Sequence, residues 1–262
     1  MHRSQPSRSW PRAALVAGGL LLPMWASALD IDYRDGFDGT ALDPNWWTSE
    51  VWGDSTLAVT GGRLVLTQGS SLRDGASGVG LAIKPLVVGD FTATLDYTLL
   101  TWTHANEERL VLNAFNTPAD QLGLLRTSAP QYDPVVGRPP GHEEGEVYLT
   151  AFTGQGILGT PTDDRSGTLR LQRIGDSVTG SFRAGLGWQV IGTYAVAGES
   201  LVGRRIGLGL FALPTQITAG TQVALDNFTL TTAVPEPQSW ALWLAGAALL
   251  GARARRSAPR AG

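Results

Sequence analysis

The chain contains no cysteine among its 262 residues. Disulfide staples and thiolate chemistry are excluded, and stability must come from a buried core, which a chain of this length can supply. Histidine is nearly as scarce: His2, His104 and His142 form no spaced pair, which argues against a zinc site. Lys84 is the sole lysine of the body, and arginine supplies the remaining positive charge. Neither a hydrolase elbow of the Gly-x-Ser-x-Gly kind nor a phosphate-cradling glycine loop occurs with its required flanks. Long hydrophobic runs are also missing, since no apolar stretch reaches the roughly 20 residues of an upright membrane-spanning helix.

What is present begins at the two ends. Arg3, Arg8 and Arg12 precede an apolar run from Ala13 to Trp25, and Ala26-Ser27-Ala28 follows it. Basic residues, a short apolar core and small residues in that order predict a signal peptide over 1–28, cut by signal peptidase after the Ala26 and Ala28 pattern. At the other end, Val234-Pro235-Glu236-Pro237 leads into thirteen apolar residues, Trp240 to Ala252, and then Arg253, Arg255 and Arg256. The prolines withdraw backbone donors and fix φ, so the strand-rich body must stop at about Ala233. The apolar segment predicts a transmembrane helix over 239–252, with the arginines retained on the cytoplasmic side and a short basic tail at 257–262.

This proline signature, apolar helix and arginine cluster resemble the PEP-CTERM sorting signal of exopolysaccharide-producing Gram-negative bacteria. The resemblance covers residues 234–256. It implies export across the inner membrane, transient anchoring there, and removal of the tail by an exosortase acting near Pro235-Glu236-Pro237, with delivery to the cell surface or beyond. An ordinary C-terminal anchor that is never cut is the competing reading.

Of 20 basic and 23 acidic residues, seven basic and one acidic lie in the two terminal segments, which leaves 13 and 22 between Leu29 and Ala233, a formal −9. So acidic a body argues against nucleic acid and anionic lipid as partners. Within it, short period-two runs follow one another between glycine, proline and aspartate, the longest being Phe91 to Leu99. About twelve such runs at spacings of roughly 8 to 15 residues predict an all-β fold of two packed antiparallel sheets over 29–233. Gly175-Asp176 marks a hairpin, with Leu169, Leu171 and Val178 on one side and Arg170, Gln172 and Arg173 on the other. The proline-dense stretch from Ser128 to Gly145 interrupts the pattern.

A second resemblance rests on Phe37-Asp38-Gly39, the segment Leu42-Asp43-Pro44-Asn45-Trp46-Trp47, the run Leu169 to Asp176 with Trp188 beyond it, and the closing Val223 to Phe228. Together these look like concanavalin A-like lectin/glucanase domains, which implies a jelly-roll β-sandwich and a carbohydrate ligand.

Glycosidases need two carboxylates flanking one bond, and on a strand only residues at i and i+2 or i+4 share a face. The Glu-x-Asp-x-x-Glu and Glu-x-Asp-x-Glu strands of the glucanase branch are absent. Glu144 and Glu146 are the nearest candidate pair. Sugar rings stack on aromatic planes, so the body tryptophans are candidate contacts. Trp47 and Trp188 are expected in the core, and Trp102 is expected to be exposed and to touch ligand. Asp38 and Asp226, near the two ends of the body, are candidate ligands for a structural calcium, because carboxylates and carbonyls are what calcium takes. The expectation is an exported module that binds extracellular polysaccharide or builds matrix, with a glycan hydrolase or lyase using Glu144 and Glu146 as the alternative.

Overall fold

A computed structural model describes residues 31–73, 77–102, 108–117, 120–128, 146–152, 156–196, 203–212 and 219–232. The expected signal peptide with Ala26 and Ala28, the sorting segment from Val234 to Arg256 including Pro235, Glu236, Pro237, Arg253 and Arg255, the helix at 239–252, and Glu144 all lie outside the described residues. Among the described residues no helix is long and apolar enough to cross a membrane.

Among the described residues fifteen strands build the body: β1 Asp32–Asp35, β2 Trp47–Trp52, β3 Thr56–Val59, β4 Leu64–Thr67, β5 Ser77–Ile83, β6 Phe91–Thr101, β7 Arg109–Thr117, β8 Asp120–Ser128, β9 Glu146–Phe152, β10 Gly156–Pro161, β11 Ser166–Ile174, β12 Ser177–Ala184, β13 Gly187–Ala195, β14 Arg205–Ala212 and β15 Gln222–Thr232. Sheet A runs β13-β12-β11-β6-β15-β4-β3, with β1 also on β15; sheet B runs β10-β9-β8-β7-β14-β5-β2. Every pairing is antiparallel.

Alternation explains the packing. On β6 the odd residues Ala93, Leu95, Tyr97 and Leu99 are buried, while the even Thr92, Thr94, Asp96 and Thr98 face outward. Sheet B answers with Val79, Leu81 and Ile83 of β5, Leu110 and Leu112 of β7, and Ile206, Leu208 and Leu210 of β14, which join the same core. Gly175, at φ +55°, turns the chain between β11 and β12 as expected.

Two bulges adjust the alternation. In β15 the apolar residues fall at Val223 and Leu225, then at Phe228 and Leu230, so the sequence itself changes parity. The structure accommodates the extra residue at Asn227, whose φ is +47°, with a register shift between Asp226 and Thr229. In β6, Thr101 pairs with Gln222 and Leu99 with Val223, leaving Leu100 unopposed. Thr101 and Trp102 are thereby rotated to the other face.

The ends of the body meet. Ile31 N donates to Thr232 Oγ1 at 2.8 Å, and Thr232 N donates to the Ile31 carbonyl at 2.9 Å. Ile31 and Thr232 thus lie side by side at one pole of the sandwich.

Candidate functional site

Of the acids singled out from sequence, Glu146 is described, and it is turned toward the interior. Glu146 shares the parity of Tyr148, Thr150 and Phe152, which are buried between the sheets. Its carboxylate is paired with the fully buried guanidinium of Arg126. Arg126 also donates from Nε and Nη2 to the Asp164 carbonyl at 3.3 and 3.1 Å. Beside them the Tyr97 and Tyr148 hydroxyls lie 2.6 Å apart, and Tyr148 donates to Asp164 Oδ2 at 3.0 Å. Burial pushes both phenols above their ordinary pKa and lowers that of Arg126. The arrangement is a polar plug closing one end of the core, and Glu146 belongs to it.

Trp102 corrects a second expectation. It is only 5% exposed and packs with its ring centroid 5.8 Å from the Arg126 guanidinium carbon. The bulge at Leu100 is the reason, because it turns Trp102 inward where strict alternation from Leu99 would point it out. Trp188 corrects a third: it pairs with Arg183 on the outer face of sheet A, half-buried, with the Arg170 guanidinium 4.1 Å from its ring centroid. Trp47 is buried as expected, donating from Nε1 to Asp35 Oδ2 at 2.7 Å. Arg173, expected on the polar side, is 1% exposed and donates from Nε to the Gly175 carbonyl at 3.2 Å.

The calcium candidates sit apart in role. Asp38 lies in the turn after β1, with Gly36 and Gly62 against its carboxylate. Asp226 is on the outer face of sheet A, opposite Asp96. Among the described residues no group of three or more His, Asp or Glu side chains is arranged to hold a metal.

The outer face of sheet B carries features that sequence reasoning passed over. Gly80 and Gly209 are cross-strand partners, and Gly207 pairs with Ala82 on one side and Asn113 on the other. These glycines leave the sheet surface bare, and aromatic rings lie across it. A Cβ on Gly209 would fall 2.1 Å from Phe211 Cε2; on Gly80, 3.0 Å from Trp52 Cζ3; and on Gly207, 2.8 Å from Phe115 Cε1. Trp52 and Phe211 are in contact, centroids 5.3 Å apart. All three rings are half-buried, and the outward Val111 and Leu125 beside them are only 8% exposed. Asn113 donates to Gln121 Oε1 at 3.1 Å along the same face. Glu50 of β2 places a carboxylate on this face, opposite Gly80. The period-two glycines Gly78-x-Gly80 and Gly207-x-Gly209 are the signal in the sequence that could have revealed this face.

The outer face of sheet A is different in kind. A groove of about 280 Å³ is lined by Arg63, Asp96, Thr98, Ser166, Thr168 and Asp226 over a floor of Tyr97, Gly167 and Ala224.

Two antiparallel sheets packed face to face define a jelly-roll β-sandwich of the concanavalin A-like class. Solved structures bear this out: a glycosyl hydrolase family protein from Mycobacterium fortuitum superposes with a TM-score of 0.53 at 12% identity, covering 76% of this chain and 98% of its own. A pseudo β-1,3-glucanase of Mycobacterium tuberculosis gives 0.54 at 13%, covering 79% and 100%. A β-1,3-glucanase from Mycobacterium marinum gives 0.52 at 13%, covering 76% and 97%. At such identities the likeness is one of fold. Residues 233–257 match the PEP-CTERM protein-sorting motif. No curated protein matches the chain.

Proposed function

We propose that the chain is an exported, non-catalytic carbohydrate-binding sandwich, and that the ring-covered face of sheet B is where a polysaccharide docks. The observation that carries this reading is the laying of Trp52, Phe211 and Phe115 over Gly80, Gly209 and Gly207. Pyranose rings present apolar C–H faces, and an aromatic surface held by the backbone beneath it meets them without losing side-chain freedom on binding. Among the described side chains of that face, Glu50 has no second acid beside it of the kind glycoside hydrolysis needs. The glucanase neighbours support a glucan as the first ligand to try.

The sorting motif supports the rest of the account. Signal peptidase releases residues 1–28, the exosortase cuts near Pro235-Glu236-Pro237, and the body from 29 to 233 reaches the surface or matrix of a Gram-negative cell. Ile31 and Thr232 lie together at one pole, and a sandwich tethered there keeps its two broad faces clear of the membrane. Full-length protein run by affinity electrophoresis through gels containing soluble β-1,3-glucan or xyloglucan, with reducing-sugar release followed in parallel, tests the reading. Retardation without sugar release is expected; release of reducing ends would overturn it in favour of a hydrolase.

A further inference from the structure

We propose that the groove on the outer face of sheet A is a second saccharide site, specific for a neutral, hydroxyl-rich pyranose unit, so that one domain bridges two glycan strands. The inference rests on the sheet B reading for its function but on separate residues for its existence.

The groove owes its shape to small side chains. Ala224 faces it where a larger residue would fill it, and Gly167, the cross-strand partner of the inward Tyr97, lines it through its backbone. Its volume, about 280 Å³, lies just below the range of pockets that enclose drug-sized ligands, which suits one sugar unit of a chain passing over it. Its walls are polar, and they are arranged before any ligand arrives. Asp96 and Asp226 are cross-strand partners, so their carboxylates lie side by side. Thr168 Oγ1 donates to Asp96 Oδ1 at 2.6 Å and Asn227 Nδ2 to Asp96 Oδ2 at 3.0 Å, which fixes that carboxylate in one orientation. Asp226 Oδ1 accepts from Asn227 N at 2.7 Å, and its Oδ2 has no partner among the described residues. The bulge at Asn227 is what turns Asp226 toward the groove, because it keeps Asp226 outward while Phe228 goes in.

Paired acceptors beside a donor are what vicinal hydroxyls call for. Each sugar hydroxyl both donates and accepts; a carboxylate takes its proton, and a guanidinium such as the exposed Arg63 gives one back. Two carboxylates against one guanidinium leave the groove net negative, which selects against uronates and sulfated sugars. The site differs from the sheet B face in chemistry, hydrogen bonds in place of ring stacking, and lies on the opposite side of the sandwich. A domain held at one pole presents both.

Four full-length proteins test this on the same soluble β-1,3-glucan, in chelator: wild type, a platform variant (W52A with F211A), a groove variant (D96N with D226N), and all four changes together. Asparagine keeps the shape and the hydrogen bond from Thr168, and S166Y, at an exposed position, fills the groove by an independent route if the aspartate variants misfold. Wild type is expected to cross-link glucan, with turbidity that peaks at an intermediate protein-to-glucan ratio. The groove variant and S166Y should remove the turbidity and weaken retardation about tenfold, as loss of a second linked contact does. The platform variant should keep weak retardation that the combined variant loses. Wild-type retardation without turbidity, or a groove variant equal to wild type, overturns the second site while leaving the sheet B reading intact. A platform variant retarded as strongly as wild type overturns the sheet B reading instead. A groove contribution that appears only when calcium replaces chelator also overturns the proposal, because the aspartates then serve a metal.

Discussion

Phe211 lies over Gly209, close enough that any side chain at that glycine would displace it: a Cβ there would be 2.1 Å from Phe211 Cε2 and 2.9 Å from the Val79 carbonyl oxygen. The ring's place is thus set by the absence of a side chain two residues earlier on its own strand. Gly209→Ala should swing Phe211 off the sheet at a cost of about 1–3 kcal/mol from overpacking. Thermal melting would record the loss. Affinity electrophoresis should show glucan retardation falling with it; retention of full binding by a folded G209A protein would separate the ring from the ligand.

The Arg126–Glu146 pair is structural. Glu146→Gln leaves a fully buried guanidinium without its counter-charge, and breaking a buried pair from one side costs about 3–5 kcal/mol. Denaturant unfolding should show that loss, with glycan retention unchanged wherever the variant is folded. Loss of a sugar-releasing activity with stability intact would instead restore Glu146 as a catalytic acid.

Tyr97 and Tyr148 predict an alkaline limit. Burial raises both phenols above the ordinary value near 10, so the folded state holds its protons where the unfolded chain has released them. Their contribution is complete below pH of about 10 and declines as pH rises beyond it. Melting temperature should fall steeply above that point. Tyr97→Phe with Tyr148→Phe should flatten the slope, though the double variant begins from a lower stability because Tyr148 no longer binds Asp164.

The tail should be cut at its prolines. Intact mass of the secreted protein from its native host should lack the residues after the Pro235-Glu236-Pro237 segment, and Pro235→Ala with Pro237→Ala should leave the tail attached and the protein in the membrane fraction. A secreted wild-type protein still carrying Arg253, Arg255 and Arg256 would mean that the matched motif does not direct processing here.

The fold was legible where apolar residues alternate. The run from Phe91 to Leu99, the Gly175-Asp176 turn and the parity change between Leu225 and Phe228 can all be read directly from the letters. β1, β2 and β10 were not, because Asp32–Asp35, Trp47–Trp52 and Gly156–Pro161 lack a clean alternation and lie at or near sheet edges, where burial on one face is weak. The site was harder for a different reason. Trp102 was misplaced by a bulge at Leu100, which leaves no mark in composition, and Trp188 by the habit of assigning tryptophan to the core. The sheet B face is advertised by glycines rather than by aromatics: Gly78-x-Gly80 and Gly207-x-Gly209 read as weak strands until pairing places Gly80 opposite Gly209. Asp96 and Asp226 are 130 residues apart in sequence, and only the β6–β15 register makes them neighbours.

Direct titration of full-length protein with soluble β-1,3-glucan, comparing wild type with the Trp52→Ala and Phe211→Ala double variant by tryptophan emission and by gel retardation, tests the central assignment. Wild type should show saturable quenching and clear retardation, and the double variant, still folded by its melting transition, should lose both at least tenfold. Equal binding by the two proteins would contradict the assignment of the ring-covered face as the docking surface.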